Sequence, residues 1–537
     1  MTIAWLKKPL PFALILVALW TAWRLIFLWQ TGIPRPEVHD EFSYLLGADT
    51  FAHGHLANPP HPLGKFFESP HILVRPMYAS KYQPGQAMFL ALGQRLFGSA
   101  FYGVLIGNAL MLFTLCLMLF AWVPWQWAVT ISTMFALCLS PQMYWTNSYW
   151  GGSVAASGGA LVLLGIGLYR AEQRPLSGVI FATGGLLLFW TRPYEGGVFT
   201  LIVLVVFAKE LWRVRRGSVL LAAVSVFVIG ISWTCYYNQA VTGKPFLLPY
   251  LLHDRQYNVT PVFWFLPLRN EPVYSHPRLA SQHGVVGGEA NVYESDLRGE
   301  PRLQFLKLGG LRALLSGLYR SLEILTPSLK VVVVLALLIP VAWRDPVYRK
   351  MGIVSGVFLL ALSAETFHFQ HYIAPVWAAL ALMIAVWAEH AWKLTIRKQR
   401  VGVALVLVAL SSPGIAEFHS ASTRSRQSSA QSTSEVGRNM PVADFDYARR
   451  DALIERLSAL DQRQLVIVRY PSPDWRVSEE WVYNSADIDR QRVILAHDLG
   501  TEQDRELLAY YPDRKIWLLT FDRASGQERI APYPTTP

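Results

Sequence analysis

Two stretches decide the fold. The first is Leu10-Pro11-Phe12-Ala13-Leu14-Ile15-Leu16-Val17-Ala18-Leu19-Trp20-Thr21-Ala22-Trp23-Arg24-Leu25-Ile26-Phe27-Leu28-Trp29, and the second is Glu37-Val38-His39-Asp40-Glu41-Phe42-Ser43-Tyr44-Leu45-Leu46. The first is too long for the apolar segment of a signal peptide and lacks a small-residue cleavage site, so it reads as a retained membrane anchor. The second sets an adjacent Asp-Glu pair at the mouth of that anchor, where acids are costly to place and need a reason.

Working outward, the chain has 537 residues, is 53% hydrophobic and only 16% charged. Its mean hydropathy is +0.28. A soluble chain of this length is less apolar and more charged. The repeated long apolar runs predict an α-helical polytopic membrane protein. The formal net charge of +11 does not imply nucleic acid, because the basic residues sit in short loops between apolar runs. The three cysteines fall in or beside apolar segments and imply no disulfide framework.

A hydrocarbon core of about 30 Å needs about 20 apolar helical residues. On that rule, spans are expected near residues 10–30, 100–121, 126–142, 152–169, 176–191, 196–208, 218–237, 327–343, 350–364, 371–391 and 400–416, about eleven helices. Lys7 and Lys8 put the N-terminus on the cytoplasmic side by the positive-inside rule. Counting on, Arg170 with Arg174, Lys209 with Arg213, Arg215 and Arg216, Arg344 with Arg349 and Lys350, and Lys393 with Arg397, Lys398 and Arg400 all fall on that same side. A missed span would break the agreement. The opposite face receives loops 31–99, 143–151 and 238–326, the turns 191–195 and 365–370, and everything after about 417.

In the first outer loop, residues 40–53 and the segment from Met88 to Phe97 read as interfacial helices, and residues 304–325 as a third. Residues 1–416 are thus the expected transmembrane domain. Residues 417–440, rich in Ser and Gln, read as a flexible linker. Residues 441–537 read as a small α/β domain, with a helix at 442–459, strands at Leu465–Val468, Trp481–Tyr483 and Ile516–Leu519, and a helix near 502–510.

The polar residues of the outer face are the candidates for chemistry. Acids at a helix start can simply complement the macrodipole, for roughly 0.3–1 kcal/mol. At a membrane surface, however, two adjacent acids about 100° apart let one face a cavity while the other braces the turn. Asp40 and Glu41 are therefore both candidates for the base, one facing the cavity and the other bracing the turn. Lys81, before the rigid Pro84-Gly85 turn, is either a snorkelling anchor or a cation for a phosphate. Arg192 is either paired to Glu195 or a second phosphate contact. Tyr44, Tyr82, Glu195, Arg255, His368, His371 and Tyr372 complete the candidate substrate-binding set, alongside Glu365 in the same turn as His368. His53, His55, His61 and His71 match no standard zinc spacing, so no metal site is expected from them.

The order of these features resembles the GT-C glycosyltransferases. An acidic pair follows the first membrane helix with an amphipathic helix behind it, and Lys81-Tyr82-Gln83-Pro84-Gly85 precedes a juxtamembrane helix and the second span. Asn147-Ser148-Tyr149-Trp150-Gly151-Gly152, Thr191-Arg192-Pro193-Tyr194-Glu195-Gly196 and His371-Tyr372-Ile373-Ala374-Pro375 add to it. The likeness is to Rgt-like transferases, protein O-mannosyltransferases and aminoarabinose transferases, over roughly residues 10–390. Many of those carry Lys-Pro-Pro where this chain has Lys81-Tyr82-Gln83-Pro84. The resemblance implies a polyprenyl-phosphate-linked sugar as donor, a catalytic aspartate at Asp40, and a site on the periplasmic face of a bacterial inner membrane. The acceptor would be a hydroxyl on a lipid, glycan or protein. No cofactor is firmly implied, and a divalent cation could assist.

Three other functions compete. A lipid-linked-sugar flippase predicts charges within spans and a repeat between halves. A glycan polymerase or ligase would use the loop 238–326. A structural scaffold would work through residues 441–537.

Overall fold

The computed structural model describes residues 4–139, 144–213, 217–291, 293, 315, 317–319, 340–395, 399–407, 447–475, 479–523 and 525–534. Most of the expected interfacial helix at 304–325 and of the expected span 327–343, and the whole linker 417–440, lie outside them, and the expected span 400–416 is described only to residue 407.

The chain starts with α1 (Pro9–Thr31), α2 (His39–Ala52), the short antiparallel strands β1 (Ile72–Leu73) and β2 (Ala79–Ser80), then α3 (Pro84–Phe97), α4 (Phe101–Trp122) and α5 (Trp125–Cys138). There follow α6 (Tyr144–Asn147), α7 (Ser153–Ala171), α8 (Pro175–Thr191), α9 (Pro193–Val206), α10 (Ala208–Arg213), α11 (Gly217–Thr242), α12 (Pro249–Gln256) and α13 (Pro277–His283). Then come α14 (Pro346–Leu362), a 3-10 segment Gln370–Val376 leading into α15 (Trp377–Trp392), α16 (Tyr447–Ser458), β3 (Gln464–Arg469), β4 (Val493–His497), α17 (Thr501–Tyr510), β5 (Lys515–Phe521) and β6 (Glu528–Pro532).

Local chemistry fixes the helix ends. Proline opens α1, α3, α8, α9 and α12, where its missing N–H costs nothing. Gly98 closes α3 in the left-handed region (φ +77°), its N–H reaching Gln94 O at 2.9 Å. Asp345 caps α14, its Oδ1 accepting from the Val347 and Tyr348 N–H groups at 2.8 and 3.1 Å.

Two compact units emerge. One comprises residues 1–34, 101–233 and 299–436; the other comprises 35–100, 234–298 and 437–537. Among the described residues, five helical stretches are long and apolar enough to cross a membrane: Pro9–Thr31, Phe101–Trp122, Ser153–Ala171, Gly217–Thr242 and Gln370–Trp392. Pro175–Thr191 and Pro193–Val206 are shorter apolar helices. With these runs the chain is a polytopic membrane protein.

The first unit packs through small residues. A Cβ on Gly158 would meet Gly184 O at 3.0 Å, and one on Gly184 would meet Gly158 O at 2.7 Å, so α7 and α8 approach backbone to backbone. Gly159 is tighter still, since its Cβ would lie 2.1 Å from Pro375 O. That contact holds the 3-10 turn before α15 against α7.

The second unit is built on a four-stranded sheet in the order β4-β3-β5-β6, with β6 antiparallel and the other pairs parallel. Leu465, Ile467, Ile494 and Ala496 of the sheet share one apolar core with Phe42 and Leu46 of α2 and with Phe66, Phe67, Ile72 and Val74 of the segment between α2 and α3. Two expectations need correction. Trp481–Tyr483 is not a strand: the Trp481 N–H goes to the Tyr470 hydroxyl and the Val482 N–H to Glu480, so side chains satisfy what a ladder would. The strand at Val493–His497 takes the edge position instead. Nor is α2 an amphipathic surface helix, for nine of its fourteen residues are buried.

Candidate functional site

In the second unit, α2 places Asp40 and Glu41 in its first turn, pointing differently. Glu41 is buried and its Oε2 accepts the Glu37 N–H at 2.6 Å, closing the helix start. Asp40 stays partly exposed: its Oδ1 accepts the Tyr82 hydroxyl, and its Oδ2 lies 3.6 Å from His71 Nε2. Tyr44, one turn along α2, stacks on the Tyr82 ring at 4.3 Å. Burial, reinforced by the Asp40 charge, pushes the Tyr82 hydroxyl well above its ordinary range, so it stays a hydrogen-bond donor.

Lys81 is buried, and its Nζ lies 2.6 Å from His71 Nδ1. Its ammonium also lies over the rings of Tyr82 and Tyr250, at 5.1 and 5.2 Å. His71 thus stands between the carboxylate of Asp40 and the ammonium of Lys81. Its backbone is left-handed (φ +67°), an uncommon conformation for a residue with a side chain. The Ser43 hydroxyl donates to His71 O at 2.6 Å and the Lys81 N–H does so at 3.2 Å, which holds that conformation. Burial, then the neighbouring Lys81 charge, keeps the His71 imidazole neutral, far below its usual range.

Residues of the long loop after α11 join them, and sequence reasoning missed these. His253 on α12 and His283 at the end of α13 are buried, and with His71 they bring one ring nitrogen each to within 4.8 Å of one another. Glu289 Oε2 lies 3.1 Å from His283 Nδ1. Asp254 pairs with Arg269 at 3.1 Å. Nothing local announces the cluster, because its members are about 180 and 30 residues apart and only tertiary folding joins them. Arg255, on the same helix as His253, is exposed.

The first unit holds a separate group. Arg192 Nη1 lies 3.2 Å from Glu195 Oε1, and its guanidinium lies over the Tyr372 ring at 4.1 Å. His371 packs edge-on against Trp150 at 4.9 Å and stacks on Phe369 at 5.8 Å. Glu365 is buried; burial and then the Glu195 charge push its carboxyl well above the usual range. His368 is half-buried. Arg24, also missed, is fully buried within α1 and donates to Thr146 O at 2.9 Å and Asn147 Oδ1 at 3.0 Å.

No protein-family profile and no curated protein sequence matches the chain. Solved structures do. ArnT from Cupriavidus metallidurans in the apo state aligns over 94% of this chain and 92% of its own, at 14% identity and a TM-score of 0.51. The same protein bound to undecaprenyl phosphate aligns over 94% and 93%, at 14% identity and a TM-score of 0.47. The Archaeoglobus fulgidus oligosaccharyltransferase in complex with zinc and sulfate aligns over 95% of this chain and 68% of its own, at 14% identity and a TM-score of 0.49. On its alignment with apo ArnT, the chain shares the fold of that protein.

Proposed function

We propose that the protein is a membrane glycosyltransferase that moves a sugar from a polyprenyl-phosphate donor to a hydroxyl acceptor, with Asp40 as the base. The observation that carries this reading is the partly exposed Asp40 carboxylate, hydrogen-bonded to Tyr82 and set across His71 from the Lys81 ammonium. A carboxylate and a cation so arranged match the two demands of the reaction.

The acceptor hydroxyl is the poor partner, and it needs a base within hydrogen-bond reach. The departing lipid phosphate is a weak base and needs positive charge more than a proton. Asp40 takes the acceptor proton, and Lys81 receives the phosphate. Tyr82 fixes the carboxylate while leaving its other oxygen for the acceptor. A single base and direct displacement invert the anomeric carbon.

The basic residues gathered in alternate loops between the apolar runs support about eleven spans, a cytoplasmic N-terminus and a site on the outer face of a bacterial inner membrane. Residues 447–534 then lie on that outer face as an α/β region. The test is incubation of the purified full-length protein with a panel of polyprenyl-phosphate sugars and simple alcohols, following release of lipid phosphate. Release that depends on both donor and alcohol is expected. Failure of every donor on the panel to turn over would remove the transferase reading.

A further inference from the structure

We infer that Glu365, Glu195 and Arg192 of the first unit, with the rings of Tyr194 and Tyr372, form a binding site for an uncharged, hydroxyl-rich group, a neutral sugar ring. The choice of a sugar among hydroxylated ligands rests on the transferase reading, but the readout is binding and needs no turnover.

Two turns bring the charged groups together. The turn between α8 and α9 supplies Arg192 and Glu195, and the turn after α14 supplies Glu365. Both acids are only 5% exposed, while the Arg192 side chain is 17% exposed. Glu195 Oε1 is paired with Arg192 Nη1 at 3.2 Å. Glu365 has no such pairing: Arg192 and Glu195 act on it only through their charges. Its Oε1 is buried and has no hydrogen-bond partner among the described residues. Buried polar atoms are nearly always hydrogen-bonded, so an orphan beside a half-buried rim points to a ligand group.

Charge decides what that group is. The Arg192–Glu195 pair sums to zero. A second carboxylate beside it would leave one buried negative charge uncompensated, which is costly. Burial, then the Glu195 charge, therefore keeps Glu365 as the protonated acid. A carboxylic acid donates through its O–H and accepts through its carbonyl, as a carboxamide does. Tyr194, whose hydroxyl donates to Ala361 O at 3.0 Å, and Tyr372 face the same acid.

An anionic ligand is repelled by Glu195. A cationic one is repelled by Arg192, whose guanidinium lies over the Tyr372 ring at 4.1 Å. What fits is a neutral ligand whose groups both donate and accept, as hydroxyls do. The Tyr372 ring meets Phe369 edge-on at 5.6 Å, which adds apolar ring surface for the C–H face of a sugar.

The experiment is calorimetric titration of purified full-length protein with methyl glucoside and methyl mannoside, beside glucosamine as a cation and glucuronate as an anion. At least one neutral glycoside is expected to bind, with the millimolar affinity usual for so small a ligand. Glu365→Gln should retain that binding, because the amide reproduces the donor and acceptor of the protonated acid. Glu365→Ala should weaken it by about tenfold. Folding of both variants is checked by circular dichroism. No binding of either neutral glycoside, preference for glucosamine or glucuronate, or equal affinity in wild type and Glu365→Ala overturns the inference. Loss of binding in a folded Glu365→Gln overturns it as well, since the ionised carboxylate would then be the ligand. Glycoside binding without release of lipid phosphate from any donor would uphold this site while the transferase reading fell, and release without glycoside binding would do the reverse.

Discussion

The Tyr483 hydroxyl lies 2.7 Å from His39 Nδ1, both side chains being buried, so a residue 444 positions away holds the turn that carries Asp40. The Tyr483 ring also stacks flat on Phe42 at 4.3 Å and 3°. Arg450 in turn donates to Tyr483 O at 2.6 Å and Trp481 O at 3.0 Å. The first turn of α2 is thus positioned by the C-terminal region as well as by the Glu41 brace. Tyr483→Phe keeps the stack and removes one hydrogen bond of about 1 kcal/mol. Turnover is expected to fall a few-fold with little change in melting temperature. Tyr483→Ala loses the stack as well and should destabilise the protein by about 3–5 kcal/mol. Steady-state kinetics with a turned-over donor, beside thermal unfolding, separates the two effects.

Lys81→Ala removes the charge assigned to the donor phosphate. A charge-assisted hydrogen bond is worth about 1.5–3 kcal/mol. The donor Michaelis constant should rise about tenfold or more, while the acceptor constant moves little. An unchanged donor constant would leave Lys81 a structural residue.

The close contact between α7 and the turn before α15 predicts a stability effect remote from the acids. In Gly159→Ala the new methyl would meet Pro375 O at 2.1 Å, a backbone atom that cannot rotate away. Overpacking of this kind costs typically about 1–3 kcal/mol and sometimes more. A lowered unfolding temperature in detergent is expected, whereas Gly197→Ala, with open space around its Cβ, should be neutral to stability.

The buried histidines of the second unit predict a pH dependence. His276 is held down to about 3 by burial and then by His497, and His71, His253 and His497 are lowered too. Each folded-state value lies below the unfolded value near 6.5, so the unfolded chain binds more protons as the pH drops. Their stabilisation is complete above pH 6.5 and is lost as the pH falls from there toward 3. Glu480 acts lower down: burial alone would raise it, yet His497 and Arg278 hold it down to about 2. Its contribution is lost only as the pH falls below about 4.5. Melting temperature should decline from pH 7 to 5, and His276→Asn should flatten that slope.

Much of this arrangement was legible in the chain, and the exceptions share a cause. The runs that became α1, α4, α7 and α11 announce themselves because a lipid-facing helix needs an unbroken apolar length. The segment read from Met88 to Phe97 is the later part of α3, which opens one turn earlier at Pro84. The acidic pair pointed to two roles because adjacent helical residues diverge, and Glu41 does brace the turn. By contrast, Trp481-Val482-Tyr483 has strand composition but makes its hydrogen bonds to side chains. The histidine cluster was invisible because His71, His253 and His283 meet only after distant loops fold together. The shared core of Phe42 with the β3–β4 sheet is equally non-local.

The central claim is that Asp40 takes the acceptor proton. Its most direct test is single-turnover release of lipid phosphate by wild type and Asp40→Asn, at matched circular dichroism and melting temperature. A positioned general base contributes about 100- to 10,000-fold. The account predicts a loss in that range with donor binding retained. Release by Asp40→Asn within threefold of wild type would contradict it.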